Sequence, residues 1–211
     1  MGRTLTQFAK GHWQLLVLVA LIVALWPTRA LIPLKILIVL LHELSHAAAT
    51  VLTGGSVESL SINPMEGGQV VSRGGNRFIT LSAGYVGSLI LGVALFLLAV
   101  RTRLDRGVMA TLGATILLAA ALYVREVFAL WFCVGAGLLM IAAAKFLNRE
   151  INDLMLRLIG LTSIIYVPYD IFSDTIARVH LRSDARMLAE EIGGPTLFWG
   201  VLWLGVSLAT I

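Results

Sequence analysis

Four stretches of this chain, residues 78–100, 107–124, 127–144 and 192–211, contain no aspartate, glutamate, lysine or arginine. A run of about 18 or more such residues is long enough to cross a hydrocarbon core as a helix. Within lipid, only helices and closed barrels satisfy every backbone polar group internally. Uncharged runs of this length therefore predict an all-α, polytopic transmembrane bundle. Charged residues make up 13% of the chain, against about 25% for an ordinary soluble domain.

Three further apolar segments bring the expected spans to seven: 12–27, 31–53, 78–100, 107–124, 126–145, 157–177 and 194–211. The count is six if 107–145 is one helix, since Arg125–Glu126 has no Gly or Pro nearby. Such a helix would be about 57 Å long, too long for one crossing. The basic start of the first segment resembles a signal peptide, but no small-residue cleavage site follows, and the expectation is a retained helix. Residues 1–211 thus read as a single membrane domain embedded in a lipid bilayer. The net charge of +4 is scattered at segment ends, as interfacial anchors are, and predicts no nucleic-acid partner. Cys133 is the single cysteine, which excludes an intramolecular disulfide and a cysteine metal cluster.

Residues 54–77, "GGSVESLSINPMEGGQVVSRGGNR", follow the second span and hold six glycines. They read either as a flexible loop or as two strand-like pieces, about 56–62 and 69–72, around an Asn63-Pro64…Gly67-Gly68 turn. The second reading is a short re-entrant or interfacial β-hairpin.

Inside the second span lies "HELSH", His42 to His46. Ionisable groups at membrane depth are costly, by roughly 2.5–3.5 kcal/mol each for a central Asp, Lys or Arg. Two imidazoles four residues apart share one helical face and can grip one zinc ion at about 2.0–2.1 Å. Glu43 is placed to serve as general base toward a water at the ion's open position. A chain of this composition contains H-E-x-x-H by chance about once in 400 cases, so coincidence is the weaker explanation. The alternative is that the histidines are interhelical hydrogen-bond donors.

A catalytic zinc usually takes three protein ligands and one water. His12 and His180 lie at span edges, which leaves carboxylates. Asp105, Asp153 and Asp184 sit in polar surroundings, whereas Asp170 and Asp174 lie four apart in the apolar "TSIIYVPYDIFSDTIARV". They read as metal-site carboxylates or as local hydrogen-bonding groups. With seven spans, His46 and Asp170 fall at one depth, about 10 Å from the side that holds the N-terminus. That makes Asp170 the expected third ligand and Asp174, one turn nearer the surface, a supporting residue or alternative ligand. Flanking Lys and Arg number eight on the N-terminal side and six on the other, which votes for a cytoplasmic N-terminus.

At these residues the chain resembles the site-2 protease family of intramembrane zinc metalloproteases, closest to its compact bacterial-type branch. The resemblance rests on "HELSH", on "SVESLSINPMEGGQVVS", on "SAGYVG" at 82–87 and on "YDIFSD", and covers most of 31–177. It implies one zinc held by His42, His46 and Asp170, with Glu43 as base. It also implies a hairpin that holds substrate as an added strand, through Gln69, Val70, Val71 and Ser72. The family's late Asn-x-x-Pro and Leu-Asp-Gly patterns are absent, and Asp170 sits in Tyr-Asp-Ile instead.

The reading that follows is a zinc endopeptidase cutting within or near a transmembrane segment of another membrane protein. Two alternatives stand beside it: a membrane zinc hydrolase of lipidated peptides, and a non-catalytic zinc-binding pseudoprotease or transporter. Glu43 favours catalysis, because a pure metal scaffold has no need of a base. A transporter would show internal repeats, and none is found.

Overall fold

The computed structural model describes residues 5–178 and 182–211, with side chains from Trp13 onward. Arg3 and His180, and the side chains of Lys10 and His12, lie outside the described residues. The helices are α1 (Leu5–Leu25), α2 (Ile32–Leu52), α3 (Arg77–Arg101), α4 (Asp105–Tyr123), α5 (Val127–Phe146), α6 (Arg149–Ala177), α7 (Asp184–Ile192) and α8 (Thr196–Thr210). Helix thus falls at each of the seven expected segments. The five from α2 to α6 are long and apolar enough to cross a membrane. The last, α8, has 15 residues. At about 22 Å it is shorter than a hydrocarbon core of about 30 Å.

The ends of these helices have local causes. Pro33 opens α2, where its missing N–H costs nothing. The side chains of Asn76 and Asn148 cap α3 and α6 by accepting from the amides of Ile79 and Ile151. The break between α4 and α5 needs neither Gly nor Pro, because Arg125 itself caps α4. Its guanidinium donates to the carbonyls of Leu122 at 2.8 Å and Val124 at 2.9 Å.

Two packed regions frame the site. One gathers Leu40, Leu41, Met109, Ile116 and Leu156 with Leu60 and Ile62. The other joins Tyr85, Leu89 and Ile171 to Leu188, Trp199 and Trp203 of the last two helices. Gly92 and Gly160 bring α3 and α6 together: a Cβ at Gly160 would stand 2.7 Å from the Gly92 carbonyl oxygen. Close backbone approach of this kind is how membrane helices gain packing without a hydrophobic drive.

Residues 54–77 form a hairpin, not a loop. Strand β1 (Ser56–Ile62) pairs antiparallel with β2 (Gly68–Arg73), opposing Leu60 to Val70 and Ser61 to Gln69. The tip is closed by a bond from Asn63 N to Gly67 O of 2.8 Å, with Glu66 at a positive φ of 62°. The hairpin lies against α2. Its tip reaches Lys35, whose Nζ lies 3.4 Å from Glu66 Oε1. Lys35 stands 17 residues before Leu52, about 25 Å along α2. The hairpin therefore runs down most of that helix, with Leu60 and Ile62 buried in the core.

Candidate metal centre

On α2, His42 and His46 project from one face, ten and six residues before Leu52. That places them about 15 and 9 Å in from this end of the helix. The third group beside them is Asp184, at the first turn of α7. Asp184 Oδ2 lies 3.0 Å from His42 Nε2 and 3.1 Å from His46 Nε2, and the two nitrogens are 3.0 Å apart. Three donor atoms at the corners of one tetrahedral face around zinc, with bonds of about 2.0–2.1 Å, would be about 3.3–3.4 Å apart. The triangle fits a metal of that size with a small expansion. Among the described residues, His42, His46 and Asp184 are the group of three that could hold an ion.

The surroundings prepare this triangle for a cation. His46 Nδ1 donates to the Thr80 carbonyl at 2.7 Å, which leaves the Nε2 lone pair facing the centre. Between Ala83 and Gly87 the helix α3 makes a π turn, a feature frequent at functional sites. That turn sets Gly84 against the imidazoles so closely that a Cβ there would collide with His42 Nε2 and His46 Nε2. Burial by itself would raise the Asp184 carboxyl, but the His46 and His42 imidazoles beside it hold it well below the usual carboxylate range.

A family model described as Peptidase M50B-like matches residues 15–211. The chain belongs to the Peptidase M50B-like family. This is the site-2 protease family of intramembrane metalloproteases. No curated protein and no solved structure matches the chain.

In this M50B-like chain Glu43 is buried on α2, one residue after His42. Gly68 of β2 lies directly against it, and a Cβ at Gly68 would collide with Glu43 Oε1. A cavity of about 600 Å³ is lined by the two histidines, Glu43 and Asp184, by the whole stretch Glu66–Ser72, and by Tyr166, Asp170 and Asp174. The hairpin residues Gln69, Val70, Val71 and Ser72 therefore share one cavity with the metal triangle.

The structure gathers Asp184, and not the expected Asp170, with the two imidazoles. Asp170 lines the cavity, but its carboxylate faces Arg178, 4.0 Å from Nη2. Asp174 is bonded to neither His42 nor His46: it accepts from Tyr85 OH at 2.8 Å and from Arg178 Nη2 at 3.0 Å.

Asp184 was legible in principle. Ser183 caps α7 by accepting from Arg186 N. After it, Ala185, Leu188 and Ile192 alternate with Arg186, Glu190 and Glu191 at helical spacing, the signature of an amphipathic helix start. The apolar face carries Ala185 and Leu188 into the core, and Asp184 goes in with them.

Proposed function

We propose that this protein is an intramembrane zinc metalloendopeptidase that hydrolyses peptide bonds within or near transmembrane segments of other membrane proteins. The observation that carries the reading is the triangle of His42 Nε2, His46 Nε2 and Asp184 Oδ2 beside a buried Glu43, in one cavity with a strand edge. His42, His46 and Asp184 would hold the ion. When bound, zinc polarises the scissile carbonyl and makes water a competent nucleophile near neutral pH.

The chain's own residues supply the rest. Glu43 takes the proton of the attacking water and passes it to the departing amide nitrogen, so one carboxylate serves as base and then as acid. Thr80 holds the tautomer of His46. The α2–β2 contact at Gly68 fixes the Glu43 side chain and restricts water around it.

Substrate binding follows from the ladder. With Asn63 and Gly67 as a bonded pair, alternation turns Gln69 and Val71 inward to β1. The main-chain groups of Gly68, Val70 and Ser72 then face the outer edge of β2, which pairs with no strand among the described residues. A locally unwound substrate segment adds to that edge as a further strand, between β2 and α6. Glu43 and the residues that would hold the ion line the same cavity.

The test compares membrane-derived peptide fragments from cells carrying the wild type with those carrying Glu43→Gln. Fragments ending inside transmembrane segments should be present with the wild type and absent with the variant. Identical fragment profiles, with metal present in both proteins, would contradict proteolysis.

A further inference from the structure

The two histidines of the triangle are held differently. His46 has an orienting acceptor on its Nδ1, the Thr80 carbonyl. Among the described residues, the hydrogen bonds of His42 are made by Nε2, to the groups of the triangle. Its ring is instead braced by Tyr85 in a T-shaped pair, with centroids 5.3 Å apart and planes at 80°. Tyr85 is fully buried and sits in the π turn of α3, next to Gly84.

The Tyr85 hydroxyl reaches across to α6 and donates to Asp174 Oδ2 at 2.8 Å. Asp174 lies in the π turn that ends α6, Ser173–Ala177. There Arg178 grips it from the other side, donating Nη2 to Asp174 Oδ1 at 3.0 Å and Nε to Ser173 Oγ at 2.9 Å. Two π turns on neighbouring helices are thus tied by one hydrogen bond, and the ring that this bond fixes is the one against His42.

We propose that Tyr85 is the positioning residue for His42, and that Asp174 and Arg178 act on the metal centre through it. The proposal rests on the reading of His42 as a metal ligand. Bracing by the ring does for His42 what a hydrogen bond to a carbonyl does for His46: it limits rotation of the imidazole before the metal arrives. This gives the carboxylate at 174 a role that is neither ligation nor a hydrogen bond to an imidazole.

The test measures metal retention against a competing chelator, and the absorption spectrum of the cobalt-substituted protein, in detergent. Tyr85→Leu removes the brace and should weaken metal binding about 10–100-fold, the range typical of residues that orient a ligand. Its cobalt bands should shift while helix content stays constant. Tyr85→Phe keeps the ring and loses the bond to Asp174, so it should fall between the wild type and Tyr85→Leu. Asp174→Ala should match Tyr85→Phe and add nothing to it, since both cut the same link. Full additivity of those two, or an unchanged cobalt spectrum in Tyr85→Leu, would overturn the proposal. If Tyr85→Leu fails to fold, the Tyr85→Phe and Asp174→Ala cycle decides alone. His42→Ala separates the underlying reading: metal retained there refutes ligation by His42 itself, whereas metal lost there but held normally by the Tyr85 variants refutes only the brace.

Discussion

His42 Nε2 and Asp184 Oδ2 lie 3.0 Å apart although 142 positions separate them in the chain. The contact joins the second helix to a short helix that follows the last long span. It means that the triangle of His42, His46 and Asp184 closes only when the C-terminal part of the fold has docked. Arg77 and Glu191 hold that docking from the other end of α7, through bonds of 2.9 Å from Nε to Oε2 and 2.6 Å from Nη2 to Oε1.

Cutting this clamp should loosen the metal without touching a ligand. Glu191→Gln is expected to lower zinc retention by a few-fold, read as faster release to a chelator. The hydrogen bond from Arg77 holds the Glu191 carboxyl below its ordinary value. A carboxyl depressed in the fold contributes above its unfolded pKa, about 4.3, and its contribution is lost as pH falls through the folded value. The difference between the wild type and Glu191→Gln should therefore be full at pH 7 and vanish in acid. A difference that grows on acidification would contradict the clamp.

The two glycines at the site should fail in different ways. Gly84→Ala drives a methyl into His42 and His46 and should cost most of the bound metal. Gly68→Ala drives one into Glu43 and should leave the metal in place while slowing turnover at least tenfold. Metal analysis beside a cleavage assay on a transmembrane peptide separates the two. Equal metal loss in both variants would mean that the hairpin supports the ligands and not the base.

Proline separates the two edges of β2. Val70→Pro removes an outward donor and leaves the pairing to β1 intact, so metal and fold should persist while cleavage falls about tenfold or more. Val71→Pro removes a donor that the hairpin itself uses, and should lower thermal stability as well. Normal cleavage by Val70→Pro would exclude strand addition at this edge.

Much of this was written locally in the chain. The uncharged runs placed α3, α4, α5 and α8, and "HELSH" placed two imidazoles on one face, because both signals depend on spacing within one element. The hairpin was readable from Asn63-Pro64 and Gly67-Gly68, but its path down α2 was not. That path depends on where Glu66 meets Lys35, and the contact is tertiary. Asp184 was missed for the same reason. Its neighbours Arg182 and Arg186 look like a surface, and the helical spacing of Ala185 and Leu188 marks a buried face without telling which part of the fold that face meets. Arg125 is the opposite lesson: a helix break without Gly or Pro was supplied by a side chain capping its own helix.

Metal content per chain, measured on purified Asp184→Asn and Asp170→Asn proteins, tests the centre most directly. Asp184→Asn exchanges an anionic ligand for a neutral amide and should lose most of the zinc, while Asp170→Asn should keep close to one ion per chain, as the wild type does. Zinc retained in Asp184→Asn and lost in Asp170→Asn would contradict the centre formed by His42, His46 and Asp184.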